Sequence, residues 1–131
     1  VKYMRYLGAD GLMWCCLSGG ANDGSYLKPP IDFYGYAKQA FYALKEGFQK
    51  TICFDKKVGV VYGGKFLCEP AVTGAETGKS YRVTAEIKDE NGERAYVKEY
   101  EVTATAFTFD LEPFEARLAS GYYSVEFTVE E

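Results

Sequence analysis

The sequence contains no histidine. That absence excludes a Ser-His-Asp triad, a Cys-His pair, a His-ligated zinc and a histidine pH switch. Basic residues are in the minority, 15 Lys and Arg against 19 Asp and Glu, for a formal net charge of −4. Nucleic-acid binding needs a clustered basic surface that displaces counterions from phosphates, so no nucleic-acid partner is expected. No apolar run approaches the roughly 20 residues that a helix needs to cross a bilayer, so no membrane partner is expected either. The amino terminus lacks a basic-then-apolar leader pattern and begins with Val1 rather than Met, which suggests an excised or processed chain.

Cysteine is also scarce, at positions 15, 16, 53 and 68. Four are too few for a disulfide scaffold in a chain of 131 residues. The neighbours Cys15 and Cys16 cannot easily bridge each other, because consecutive Cβ atoms of a strand point to opposite faces. Cys53 and Cys68 could pair across a sandwich, but nothing in their spacing requires it. There is no CxxC, so neither a structural zinc nor a thioredoxin-type site is supported, and no metal or cofactor is expected. Buried, reduced thiols are the expected state, and the neighbouring Cys15 and Cys16 lean towards a reducing, cytoplasmic location that the sequence does not otherwise fix. What is present is ordinary for a globular chain, 47% hydrophobic and 26% charged, except for aromatics at 17%, of which 12 are Tyr. Tyrosine suits half-buried strands and sugar- or protein-facing surfaces.

The chain divides into residues 1–50 and 51–131. In the first part, residues 1–7 read as the tail of a helix ended by Gly8. The run Leu12 to Leu17 is apolar without alternation, as expected of a strand buried on both faces in a parallel sheet. Residues 18–30 have the Gly, Pro, Ser, Asn and Asp content of a loop. A helix is expected over about Tyr36 to Gln49, with Ala37, Ala40, Phe41, Leu44 and Phe48 forming one apolar stripe and Gly47 weakening its end. This is one βα unit, and a parallel strand needs neighbours on both edges.

The second part alternates. Tyr81, Val83, Ala85 and Ile87 face one way, and Arg82, Thr84, Glu86 and Lys88 the other. Asp89-Glu90-Asn91-Gly92 is a hairpin turn. Return strands are expected over Ala95–Thr103, over Ala106–Leu111 with Phe107, Phe109 and Leu111 inward, and over Tyr123–Glu130. Shorter strands are expected at Thr51–Phe54, Val58–Tyr62 and Phe66–Cys68. The fold class is therefore mainly β, an immunoglobulin-like antiparallel β-sandwich preceded by a strand-loop-helix segment.

Residues 7–14 (Leu-Gly-Ala-Asp-Gly-Leu-Met-Trp), then Ile31-Asp32-Phe33-Tyr34-Gly35, Lys38 and Phe41-Tyr42-Ala43-Leu44-Lys45 together resemble the end of a glycoside hydrolase family 2 barrel. This is the β-galactosidase, β-mannosidase and β-glucuronidase group. The resemblance implies that residues 1–50 are the closing strand, loop and helix of a (β/α)8 barrel, and that residues 51–131 are the sandwich that often follows it. It further implies that Trp14 floors a sugar subsite at the C-terminal face of the barrel, although the residue also suits a plain core position. Asp32 and Tyr34 match the loop motif, with a packing and helix-start role expected of them, and Lys38 and Lys45 read as solvated charges.

Retaining glycosidases need two carboxylates about 5 Å apart. In that family they come from the fourth and seventh barrel strands, upstream of Val1. Asp10 and Asp23 flank the apolar run, and neither has a partner carboxylate in its element. Ser18 has no base within any readable motif, and Gly19-Gly20 and Gly63-Gly64 lack the phosphate-loop pattern. The resemblance thus implies a non-catalytic accessory region, inactive alone, that brushes carbohydrate substrate only through the parent's barrel. The helix is expected to lie on the sandwich through Phe41, Leu44 and Phe48, and the N-terminal segment to support homo-oligomers by strand exchange. An alternative is a free-standing carbohydrate-binding or adhesion module presenting Tyr62, Tyr96, Tyr100 and Tyr122.

Overall fold

The alternation of residues 80–89 becomes strand β4 (Ser80–Asp89), the middle strand of a three-stranded sheet. The structure, a computed structural model, describes residues 1–13, 30–32, 34–57 and 64–131. These fall into two units, Val1–Gln49 and Lys50–Glu131. The second unit also contains β1 (Ile52–Asp55), β2 (Lys65–Cys68), β3 (Pro70–Thr73), β5 (Arg94–Thr103), β6 (Thr108–Asp110), β7 (Phe114–Arg117) and β8 (Tyr123–Glu130). All pairings are antiparallel, in the orders β1-β3-β6, β2-β7 and β5-β4-β8.

Mainly β, antiparallel architecture follows from the two-residue period. Tyr81, Val83, Ala85 and Ile87 are buried, whereas Arg82 is exposed and Thr84, Glu86 and Lys88 are half-buried. One core cluster joins these residues to Cys53, Phe66, Cys68, Val72, Tyr100, Leu111, Phe114 and Ala116, so strands from all three sheets share it, an arrangement consistent with a β-sandwich. Tyr96 stacks on Phe114 with ring centroids 5.3 Å apart, and the Tyr100 hydroxyl donates to the Glu112 carbonyl at 2.8 Å. No buried side-chain polar atom among the described residues lacks a hydrogen-bond partner.

Two strands have no counterpart in the sequence expectations. Strand β3 begins with a proline and is buried at all four positions, so it shows no alternation. Strand β7 alternates, but over only four residues behind Glu112-Pro113. The expected inward strand at 106–111 is shorter, Thr108–Asp110: Leu111 is buried and Phe109 half-buried, while Phe107 is 59% exposed. Its carbonyl accepts the Ala75 amide at 3.1 Å, tying the backbone down without burying the ring. The expected strand over Val58–Tyr62 lies outside the described residues.

In the first unit, helix α1 (Lys2–Tyr6) ends at Leu7, and Gly8 follows in the left-handed region at φ 77°. Helix α2 spans Gln39–Gly47 rather than Tyr36–Gln49. It starts late because Lys38 is extended, Ile31 bridges Ala37, and the Tyr36 amide is taken by the Asp32 carboxylate at 2.8 Å. Phe41 and Leu44 are half-buried, but Phe48 is exposed. The expected buried strand at Leu12–Leu17 lies outside the described residues from Trp14 onward; Leu12 and Met13 are exposed.

Arg5 holds the two helices together, its Nη1 donating to the Gly47 carbonyl at 2.8 Å and the Gln49 carbonyl at 2.7 Å. A guanidinium there satisfies carbonyls that a helix end leaves unpaired. Lys2 pairs with Glu46 beside it. Gly47 is buried, and a Cβ on it would stand 3.0 Å from the Val1 side chain. The glycine serves a close approach and is more than a weak helix end.

Two outcomes are expected. Gly47→Ala should yield no gain in thermal stability by circular dichroism, where an unconstrained helix glycine would yield about 1 kcal/mol. Ile87→Ala, at a side chain with no solvent exposure, should cost about 2–5 kcal/mol in urea unfolding of the second unit.

Candidate functional site

The loop motif of the first unit is a hydrogen-bonded turn. The Asp32 carboxylate accepts the Tyr34 amide at 3.0 Å and the Tyr36 amide at 2.8 Å through one oxygen. The Gly35 amide donates to the Asp32 carbonyl at 3.1 Å, and the Asp32 amide to the Tyr36 carbonyl at 2.9 Å. Gly35 sits at φ 90°, where a Cβ would be strained.

The β4–β5 hairpin repeats this geometry. Asp89 accepts the Asn91 and Glu93 amides at 2.9 and 2.8 Å. The Gly92 amide donates to the Asp89 carbonyl at 3.0 Å, the Asp89 amide to the Glu93 carbonyl at 2.9 Å, and Gly92 lies at φ 82°. Both turns spell Asp-x-x-Gly-x, a short-range device in which the carboxylate mimics a backbone acceptor and the glycine supplies the left-handed residue. Asp32 therefore orders the turn that precedes α2; it does not cap the helix, whose N-cap is Lys38. Tyr34 is 81% exposed rather than packed.

Trp14, the expected sugar-facing residue, lies outside the described residues, as do Cys15, Cys16, Ser18, Asp23 and Tyr62. Asp10 is exposed. Lys38 is the N-cap of α2, its carbonyl accepting the Phe41 amide at 2.9 Å while its own amide donates to the Pro30 carbonyl at 2.8 Å, and Lys45 is exposed in the last turn. Of the tyrosines considered for glycan stacking that are described, Tyr100 is buried, Tyr96 is half-buried against Phe114, and Tyr122 is open to solvent, at 83%. The described part of that set presents no planar aromatic platform.

Cys53 and Cys68 are buried free thiols. Burial, reinforced by the Asp55 carboxylate, pushes the Cys68 thiol far above its ordinary range and keeps it from becoming a thiolate nucleophile. Burial raises the Tyr100 phenol in the same way. No group of three or more Cys, Asp or Glu among the described residues could hold a metal ion.

Charged groups gather instead at the surface. Lys79 pairs with Glu76 at 3.1 Å and with Glu131 at 3.0 Å, and Lys50 joins the same group through Glu76. Hydrogen bonds from Lys50 and Lys79 hold the Glu76 carboxyl below its usual range. Nearby, a surface groove of about 500 Å³ is lined by Ser80, Arg82, Glu101, Thr103, Glu130 and Glu131. Its Ser80 hydroxyl is engaged by Thr103 at 3.2 Å, Arg82 by Glu101 at 3.5 Å, and Glu131 by Lys79.

Asp32→Ala and Asp89→Ala should each lose about 1–2 kcal/mol locally, the worth of a charged acceptor at a cap-like position. Amide exchange should speed up at Tyr34 and Tyr36 in the first variant, and at Asn91 and Glu93 in the second. Compared with known protein families, curated proteins and solved structures, the chain has no match.

Proposed function

We propose that the chain is a non-catalytic accessory region of a glycoside hydrolase acting on β-linked sugars, in which an immunoglobulin-like sandwich braces a catalytic barrel. The observation that carries this reading is the apolar exposure of the first unit. Met13 is 97% exposed, Tyr36 71%, and Tyr3, Leu7, Tyr42 and Phe48 are all open to solvent. Exposed apolar side chains in that number are what an interface element would present. The closing strand and helix of a barrel would have such a surface, because neighbouring barrel strands and helices cover it in the parent.

The second unit supports the same reading. Apart from the β4–β5 hairpin, strands adjacent in sequence are divided between sheets, β3 with β1 and β6, β4 with β5 and β8. That interleaving is characteristic of Greek-key sandwiches. Its core is filled by packed apolar side chains, so its contribution is mechanical support. Within this reading Trp14 faces the sugar, and the acid/base and nucleophile carboxylates belong to the parent's barrel.

The test is the coding sequence upstream of Val1 together with the activity of the chain. The expected result is a barrel with Asn-Glu at its fourth strand and a second Glu at its seventh. The chain alone should release no aglycone from chromogenic β-galactosides, β-mannosides or β-glucuronides. In the longer protein Trp14→Ala should raise KM about tenfold or more while the melting temperature holds. An upstream sequence without the two carboxylates, or turnover by the isolated chain, overturns the proposal.

A further inference from the structure

The β4–β5 hairpin and the turn before α2 share one backbone pattern and differ in what it carries. Tyr34 holds the position in the first turn that Asn91 holds in the second. Each donates its amide to the aspartate two residues earlier, at 3.0 and 2.9 Å. Gly35 and Gly92 follow them, at φ 90° and 82°. Asn91 thus places a carboxamide where the other turn has a phenol, and the turn geometry requires neither.

A carboxamide directly before a glycine has a chemistry of its own. The next amide nitrogen can reach the side-chain carbonyl carbon and close a five-membered ring. Most residues obstruct that approach with a Cβ, and glycine has none. Asn91 and Gly92 are both exposed, and a Cβ built on Gly92 would meet nothing within 4 Å. Among the described residues no group engages the Asn91 carboxamide; only its backbone amide is held. The electrophile is uncommitted, but the nucleophile is tied, because the Gly92 amide donates to the Asp89 carbonyl at 3.0 Å. The chain's other asparagine, Asn22, precedes Asp23, which does carry a Cβ.

We infer that Asn91 is a site of spontaneous deamidation in the folded chain, and that the turn centred on Asp89 sets its rate. The Gly92 nitrogen, released from Asp89 and deprotonated, attacks Cγ of Asn91. The N–Cγ bond forms, the Cγ–Nδ2 bond breaks, and the amide leaves as ammonia with a proton from water. Water then opens the cyclic imide. Cleavage of the new N–Cγ bond restores the main chain with an aspartate at position 91. Cleavage of the original peptide bond leaves an isoaspartate, through which the main chain runs one methylene longer. Either product adds a negative charge to a net −4, in a turn that already holds Asp89, Glu90 and Glu93. The longer main chain also disturbs the spacing by which Asp89 accepts the Asn91 and Glu93 amides at 2.9 and 2.8 Å. Those two bonds oppose the opening that frees Gly92. Bonds to a charged acceptor are strong enough that losing them shifts such a local equilibrium about tenfold.

The experiment is peptide mapping by mass spectrometry of the full 131-residue chain aged in neutral buffer. Isoaspartate is counted separately, by enzymatic methyl transfer from S-adenosylmethionine. The native chain should exchange amino for hydroxyl at the peptide holding residues 91 and 92, and both aspartate and isoaspartate should appear there. In urea the same peptide should convert several-fold faster, since nothing then holds the Gly92 amide. Asp89→Ala, verified as folded by its near-ultraviolet spectrum, should convert about tenfold faster than the native chain. Asp89→Asn keeps an acceptor oxygen without the charge and should fall between the two. Asn91→Gln should convert far more slowly, because its ring would need six members. A native chain that stays intact at Asn91 over the interval in which the urea-treated chain converts overturns the inference. Conversion of both Asp89 variants at the native rate overturns it as well.

Discussion

The fold of the second unit depends on strand β4 being paired on both sides while one of its faces is sealed. Val83, Ala85 and Ile87 have no solvent exposure, and their backbone polar groups are hydrogen-bonded to β5 and β8. The two conditions support each other. A ladder with partners on both edges removes the desolvation cost that would otherwise oppose burial of the strand. The buried row in turn admits one register, because a slip of one residue would carry Arg82, Thr84, Glu86 and Lys88 into the core.

Long alternating segments were therefore the legible part of the sequence. Tyr81 to Lys88 and Tyr123 to Glu130 each present four apolar positions at period two, and both are strands in the expected sense. Short central strands carry no such signal. Pro70-Ala71-Val72-Thr73 is buried on both faces, and a strand buried on both faces has no polar side to mark its period. Phe107 shows a different failure: pattern placed its ring inward, but the regular strand begins one residue later, and only its carbonyl was needed. Helix α2 was recognisable by type, and its start was misplaced because Asp32 competes for backbone amides that a longer helix would have used.

The candidate site was less legible, for a reason that Asp32 makes concrete. The Asp-x-Tyr-Gly string contributes to the resemblance with glycoside hydrolase barrels, yet the same hydrogen bonds recur at Asp89-Glu90-Asn91-Gly92-Glu93, in a hairpin with no such association. Turn chemistry alone is sufficient to account for the aspartate and the glycine. What turn chemistry does not account for is the surrounding aromatic surface, where Tyr34, Tyr36 and Tyr42 stand exposed within a few residues of the turn. That surplus, more than the motif itself, is what the proposed function rests on.

The two core cysteines have a practical consequence. Cys53 and Cys68 belong to the same cluster as β4 and are shielded from water, and a thiol alkylates only as the solvated thiolate. Each is thus a native, internal reporter that stays silent until its sheet separates from the rest. The pace at which an alkylating reagent marks these positions measures how often the interior opens, with no label introduced into the protein.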